Sequence, residues 1–297
     1  MRIAVTGIAG QVVTALREQA ASIADVEVVS LGRPELDLLD VASIGPVLIA
    51  SNADIIVSAA AYTAVDKAEG EPDAAFAINR DAPAAIAAAA AAMGVQLIHL
   101  STDYVFDGGK PSPYVEDDET GPLGVYGKSK LGGEEGIREA YANHVILRTA
   151  WVYSPFGNNF LKTMLRLAGD RPRIRVVADQ RGTPTSALDI ADAIFVIARN
   201  LLDNPADARL RGTFHLVGGG EASWAEFARE IFARSAELGG PSATVEAIET
   251  SQYPTPAPRP ANSRLATEKL ALVHGIHMPD WRLSTAETIK FINAARS

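Results

Sequence analysis

Along its first half the chain alternates two hydrophobic patterns. Short, nearly continuous apolar runs fall at residues 2–6, 26–30, 54–58, 95–101 and 144–148. Between them, residues 11–21, 43–51, 72–93 and 126–141 read as helices. Continuous apolar runs of about five residues are what strands buried on both faces require, and their alternation with helices predicts βαβ units. With right-handed crossovers, these units build a doubly wound parallel sheet. After Trp151 the rhythm loosens. Residues 187–202 form an amphipathic helix pattern and 212–217 a strand. Ser223 and Glu226 are spaced as a capping box for a helix beginning at Trp224. Four prolines between residues 253 and 260 exclude helix and central strand there, leaving a linker or a stiff loop set against a ligand. The expectation is an α/β protein: a Rossmann-like doubly wound parallel sheet over residues 1–150 and a smaller C-terminal α/β substrate-binding lobe over 151–297. Segments near 180–220 are expected to return to the main domain.

Composition narrows the chemistry. A net charge of -9 over 297 residues argues against a nucleic-acid binder, which needs cations to neutralise phosphates. The absence of cysteine excludes disulfides, thiolate metal sites and a cysteine nucleophile, and fits a cytoplasmic setting. The alanine-rich run at 82–93 is too short to span a bilayer about 30 Å thick and reads as a helix packed closely on a sheet. Neither a leader segment nor membrane association is expected. The five histidines show no metal-binding spacing, and no metal site is assigned.

The turn from Thr6 to Gly10 joins the first strand to the first helix. Gly7 allows a tight bend. Gly10 lets the backbone approach a pyrophosphate at the helix N-terminus, where free N–H groups favour anions. Val13 stands where a third glycine usually sits, so a plain turn remains an alternative. NAD-preferring folds place an acidic residue at the end of the second strand, roughly 20 residues on. Here Ser30 ends that strand and Arg33 follows it, which favours NADPH over NADH unless Arg33 is merely an exposed loop cation. Asp37 and Leu38 are candidates for the adenine. Ala60 and Ala61 would let a cofactor lie close to the backbone.

Tyr126 and Lys130, four apart at the start of a helix, share one face. A neighbouring ammonium, together with a nicotinamide cation, would lower the tyrosine pKa from its ordinary value near 10, so that Tyr126 protonates a carbonyl oxygen as hydride arrives. Thr102, at the carboxyl end of the fourth strand, could bond the reacting oxygen. Either residue of the Tyr–Lys pair could instead be an ordinary surface residue. Hydroxyl, phenol and ammonium downstream of a phosphate turn are jointly more telling than any one alone.

With these residues on the page, the sequence resembles the extended short-chain dehydrogenase/reductases, nearly end to end. The blocks that carry the resemblance are Ala59 to Glu69 (AAAYTAVDKAE), Ser101 to Gly108 (STDYVFDG), Tyr126-Gly-Lys-Ser-Lys130 and Arg148 to Tyr153. The resemblance implies a catalytic set of Thr102, Tyr126 and Lys130. It also implies cofactor contacts from Gly7, Gly10, Gln11, Val12, Tyr62 and Thr63, and sugar-nucleotide contacts from Thr102, Asp103 and Trp151. The branch it points to uses NADPH or NADH to reduce the 4-keto group of a dTDP-linked 4-keto-6-deoxy sugar, giving dTDP-L-rhamnose. Val13 and Ser58 depart from the family pattern, both near the cofactor. Some members dimerise through Mg²⁺, so a homodimer stays open, although no ligands for the metal can be mapped.

In the second lobe Trp151 offers a flat face for a sugar or base, or else packs in the core. Arg259, held between prolines, would pair with a diphosphate, or else lies on an exposed loop. Trp224, Trp281 and His99 are expected to be structural, and the acidic turn at 117–119 solvated. Dehydration is disfavoured because Tyr104 follows Thr102-Asp103 where a glutamate would be needed. An epimerase, a reductase of another nucleotide sugar and a non-catalytic nucleotide-binding subunit remain as rivals.

Overall fold

The computed structural model describes residues 1–295. Five strands, β1 (Arg2–Thr6), β2 (Glu27–Leu31), β3 (Ile55–Ser58), β4 (Gln96–Thr102) and β5 (His144–Thr149), lie within one or two residues of the apolar runs that predict them. A sixth strand, Gly212–His215, pairs with β5 in the same sheet. The order is Gly212–His215, β5, β4, β3, β1, β2, and every pairing is parallel. The chain reverses direction between β1 and β3. Ligands of doubly wound sheets bind outside the carboxyl ends at such a switch point.

Side-chain alternation divides the sheet between two cores. Ile3, Val57, Ile98 and Leu147 pack against the helices Gln11–Ala20 and Ala187–Asp203. Ile56, Leu97 and Ile146 face the helices Val41–Ala50, Ala82–Met93 and Val125–Ala140. The single helix expected at 72–93 is helical throughout, but residues Ala77–Asp81 form a π-helical turn. Periodicity does not mark such a turn, because it widens the backbone without changing which residue types tolerate it.

Beyond Trp151 a separate core is built from the helix Phe160–Asp170, the paired strands Arg173–Val177 and Thr244–Ile248, and the helix Trp224–Glu237. The capping box predicted at Ser223 and Glu226 is present. Residues 253–260 hold neither helix nor strand. Ala257 and Pro260 are buried within that stretch, so it lies against the body of the protein.

Candidate active site

The dinucleotide end is shaped by absent side chains. Gly7 has φ of 105°, a conformation that a Cβ makes costly. A Cβ there would also come within 3.3 Å of Val13 Cγ2. Val13 is itself buried, so it fills the helix–strand contact a third glycine would leave bare. Val12 is buried in the same core. Gly10 begins the first helix without any side-chain cap, leaving its leading N–H groups for an anion. Thr6 Oγ1 accepts from the N–H groups of Ala59 and Ala60 at 3.0 and 3.1 Å, which fixes the loop after β3 beside the glycine turn.

Gly7, Arg33, Asp37, Leu38, Ala60 and Ala61 line one cleft of about 270 Å³. Ser30 is not among the residues lining that cleft; it lies near the end of β2, with a buried hydroxyl oxygen that has no protein partner. An unpaired buried hydroxyl, an exposed arginine and a narrow apolar slot suit an adenosine ribose carrying a phosphate. Tyr62 gives its hydroxyl to Glu71 at 2.7 Å, and Thr63 is exposed. The Gln11 side chain accepts from Ser154 Oγ and Asn159 Nδ2, both at 2.9 Å. It therefore ties the glycine turn to the second lobe, and the backbone at Gln11 remains for a cofactor.

The second cluster gathers at the carboxyl end of β4. Thr102 Oγ1 donates to Asp103 Oδ1 at 2.9 Å and accepts from the Tyr104 N–H at 3.2 Å. The Tyr126 ring meets the Tyr104 ring edge-on, with centroids 5.5 Å apart. Lys130 is buried and donates to the Leu100 carbonyl at 2.6 Å and to His99 Nε2 at 3.2 Å. Thr102 and Lys130 are thus fixed to the same strand end, and Tyr126 sits one helical turn before Lys130.

The Tyr126 phenol is pushed above its ordinary value, first by burial, then by the Asp103 carboxylate, with the Thr102 hydrogen bond opposing. The Lys130 ammonium is held on Leu100 and His99. Burial brings Lys130 down to about 8. Burial raises Asp103 to about 6, although bonds from Ser263 and Thr102 pull the other way. Asp103 Oδ2 has no partner.

Several residues that sequence reasoning passed over build this cluster. Asn79, on the π-helical turn, accepts from the Tyr62 N–H at 2.8 Å and donates to Ser129 Oγ at 3.0 Å; Ser129 in turn donates to the Tyr126 carbonyl. Glu69 Oε1 accepts the Val125 N–H at 2.8 Å, at the start of the Tyr126 helix. Below the site Glu134 is buried and accepts from Ser101 (2.5 Å), Arg148 (3.0 and 2.7 Å) and Arg138 (2.7 Å). Burial, the largest single influence, opposes its charge, but the Arg148 bonds and charge, the Ser101 bond and the Arg138 charge together hold the carboxyl below its ordinary value. A Glu69 signal lay in the AAAYTAVDKAE block; Asn79 had none.

Trp151 has φ of 48°, a strained backbone for a tryptophan, and stacks on Trp224 with centroids 3.6 Å apart. Trp224 is partly buried and packs against the second-lobe core, and Trp281 is buried within it. Arg259 is mostly covered; its guanidinium pairs with Asp66 at 2.8 Å and lies 6.0 Å over the Tyr104 ring. Its Nη1 is buried without a partner. The fold and these clusters together define an extended short-chain dehydrogenase/reductase.

Comparison with known proteins narrows the class. The family described as the RmlD substrate binding domain matches residues 1–293, and the chain belongs to it. It is 54% identical to the dTDP-4-dehydrorhamnose reductase of Sinorhizobium fredii over 289 residues, 97% of each chain. Its structure is similar to that of the dTDP-4-dehydrorhamnose reductase of Clostridium acetobutylicum, with a TM-score of 0.90 and 36% identity over 98% of this chain and 99% of that one. The Bacillus anthracis reductase, determined in complex with NADP, gives a TM-score of 0.90 at 33% identity with the same coverage.

Proposed function

We propose that the chain is a dTDP-4-dehydrorhamnose reductase that uses NADPH to reduce the 4-keto group of dTDP-6-deoxy-L-lyxo-4-hexulose, yielding dTDP-L-rhamnose. The observation that carries this reading is the anchoring of Thr102 and Lys130 on one strand end, with Tyr126 a turn away and the glycine-lined cleft at the adjacent strand ends. The relatives of matching length carry that activity by name. A reduced nicotinamide, when bound, supplies the hydride that C4 receives.

The chain's own residues do the rest. Gly7, Gly10 and the first helix take the pyrophosphate, and Ser30 and Arg33 take the 2′-phosphate. On substrate binding the Thr102 hydroxyl turns its single proton from Asp103 to O4 of the sugar. Tyr126, kept neutral by burial, transfers its phenolic proton to O4 as the carbonyl becomes an alcohol, and regains a proton from solvent. Lys130 holds the nicotinamide ribose. Trp151 lies against the sugar, Asp103 bonds it, and the unpaired Nη1 of Arg259 meets the diphosphate. The absence of cysteine suits a cytoplasmic enzyme.

Purified protein mixed with the dTDP-4-keto sugar should consume NADPH and form one equivalent of dTDP-L-rhamnose per cofactor oxidised, read by absorbance and by NMR of the product. Consumption with neither NADPH nor NADH overturns the assignment.

A further inference from the structure

Lys130 is buried, and its partners carry information about the proton arrangement around it. An ammonium has three N–H bonds and no lone pair. One bond goes to the Leu100 carbonyl at 2.6 Å and one lies on His99 Nε2 at 3.2 Å. While Lys130 is charged, Nε2 can only accept, so the ring proton sits on Nδ1. There it faces Ser58 Oγ at 3.0 Å. Ser58, His99 and Lys130 are all buried. The chain Ser58–His99–Lys130 thus has one consistent set of donors and acceptors, running from the end of β3 to the lysine.

Removing the imidazole would leave a buried ammonium with a single protein acceptor on a side chain with four rotatable bonds. Such a group is costly to strand and free to swing. Burial and the Lys130 charge both hold His99 well below the ordinary histidine value, so its ring stays neutral and able to accept.

We propose that His99 is a positioning residue: its neutral imidazole, oriented by Ser58, holds the Lys130 ammonium in register with Tyr126 so that the remaining N–H meets the nicotinamide ribose. This rests on the reading of Lys130 as the residue that holds the cofactor. It gives Ser58, a departure from the family pattern, a task.

The test measures NADPH affinity by fluorescence titration for the wild type, His99→Leu, His99→Gln, Ser58→Ala, Lys130→Met and the His99→Leu/Lys130→Met double variant. Thermal melts report folding, and steady-state kinetics accompany the titrations. His99→Leu should weaken NADPH binding about tenfold and raise KM for NADPH while leaving KM for the sugar nucleotide unchanged. His99→Gln, which keeps an acceptor, should recover part of that loss, and Ser58→Ala should cost about threefold. In the Lys130→Met background, His99→Leu should add nothing.

Full additivity of the two changes, or unchanged NADPH binding in His99→Leu, overturns the proposal. If His99→Leu does not fold, Ser58→Ala decides, and wild-type affinity there overturns it. Should Lys130→Met itself bind NADPH normally, the reading of Lys130 falls and takes the proposal with it. A null result at His99 with a clear loss at Lys130 removes the proposal alone.

Discussion

At the residue scale, the cluster beside β4 is held at a cost in stability. Asp103 is buried, and burial raises its carboxyl from an ordinary value of 3.8 to about 6. Between those two values the folded protein retains a proton that the unfolded chain has released. Stability therefore falls as pH rises through that window, and the loss persists above it. Replacing Asp103 with Asn removes the charge. Relative to the wild type, Asp103→Asn should gain up to about 3 kcal/mol on going from pH 4 to pH 8, measured by denaturant unfolding at both values. A mutant–wild-type difference that does not change with pH would contradict this account of Asp103. The same substitution should lower turnover, because in the proposed reaction Asp103 bonds the sugar and an amide offers one acceptor oxygen where the carboxylate offers two. The tuning expected from the sequence put Lys130 beside the Tyr126 phenol, and spacing alone supports it. What spacing could not supply is the long-range partner: Leu100 and His99 come from a strand some thirty residues upstream, and they take the ammonium.

At the scale of elements, the helix Val125–Ala140 is placed by the absence of side chains on the face it presents to its neighbours. A Cβ on Gly133 would lie 2.1 Å from the Asn79 carbonyl oxygen, and one on Gly127 would lie 2.2 Å from the Tyr104 carbonyl oxygen. Both obstacles are backbone, so neither can swing aside. Gly133→Ala should push the helix off the π-helical turn. Overpacking of this kind costs about 1–3 kcal/mol, and the shift at Tyr126 should lower kcat by more than that stability loss explains. Thermal melts and steady-state kinetics on the one variant check both parts; wild-type stability and turnover would show that the contact is slack.

The strands of the main sheet were legible because strands buried on both faces read as unbroken apolar runs, and the helices because their period is different. The π-helical turn at Ala77–Asp81 was not legible, since the flanking alanines read as one regular helix. Asn79 gains its place from that turn, so its link between the Tyr62 loop and the Tyr126 helix was hidden as well. The two-residue strands at Arg181–Gly182 and Thr185–Ser186 are too short to carry a period.

At the scale of the whole molecule, residues between the main sheet and the core beyond Trp151 tie the two halves together. Gln11 reaches from the glycine turn to Ser154 and Asn159. Asp66 reaches from the short helix Val65–Ala68 to the proline-rich segment, accepting from the Ala257 N–H at 3.2 Å and pairing with Arg259 at 2.8 Å. A ligand that bridges both sides should stabilise the molecule as one unit. NADPH at a hundred times its Kd should raise the unfolding free energy by about 2.7 kcal/mol in a single cooperative transition. A melt in which only one of two transitions moves would show that the halves are not coupled. In the proposed reaction the carboxyl edge of the sheet brings a proton donor, Tyr126, to a ketone that a nicotinamide reduces. The most direct test of that step is Tyr126→Phe, assayed for NADPH oxidation with the dTDP-4-keto sugar and titrated separately with each ligand. The account predicts a loss of kcat of about a hundredfold or more, with Kd for NADPH and for the sugar nucleotide within about threefold of the wild type. Turnover at the wild-type rate in that variant would contradict it.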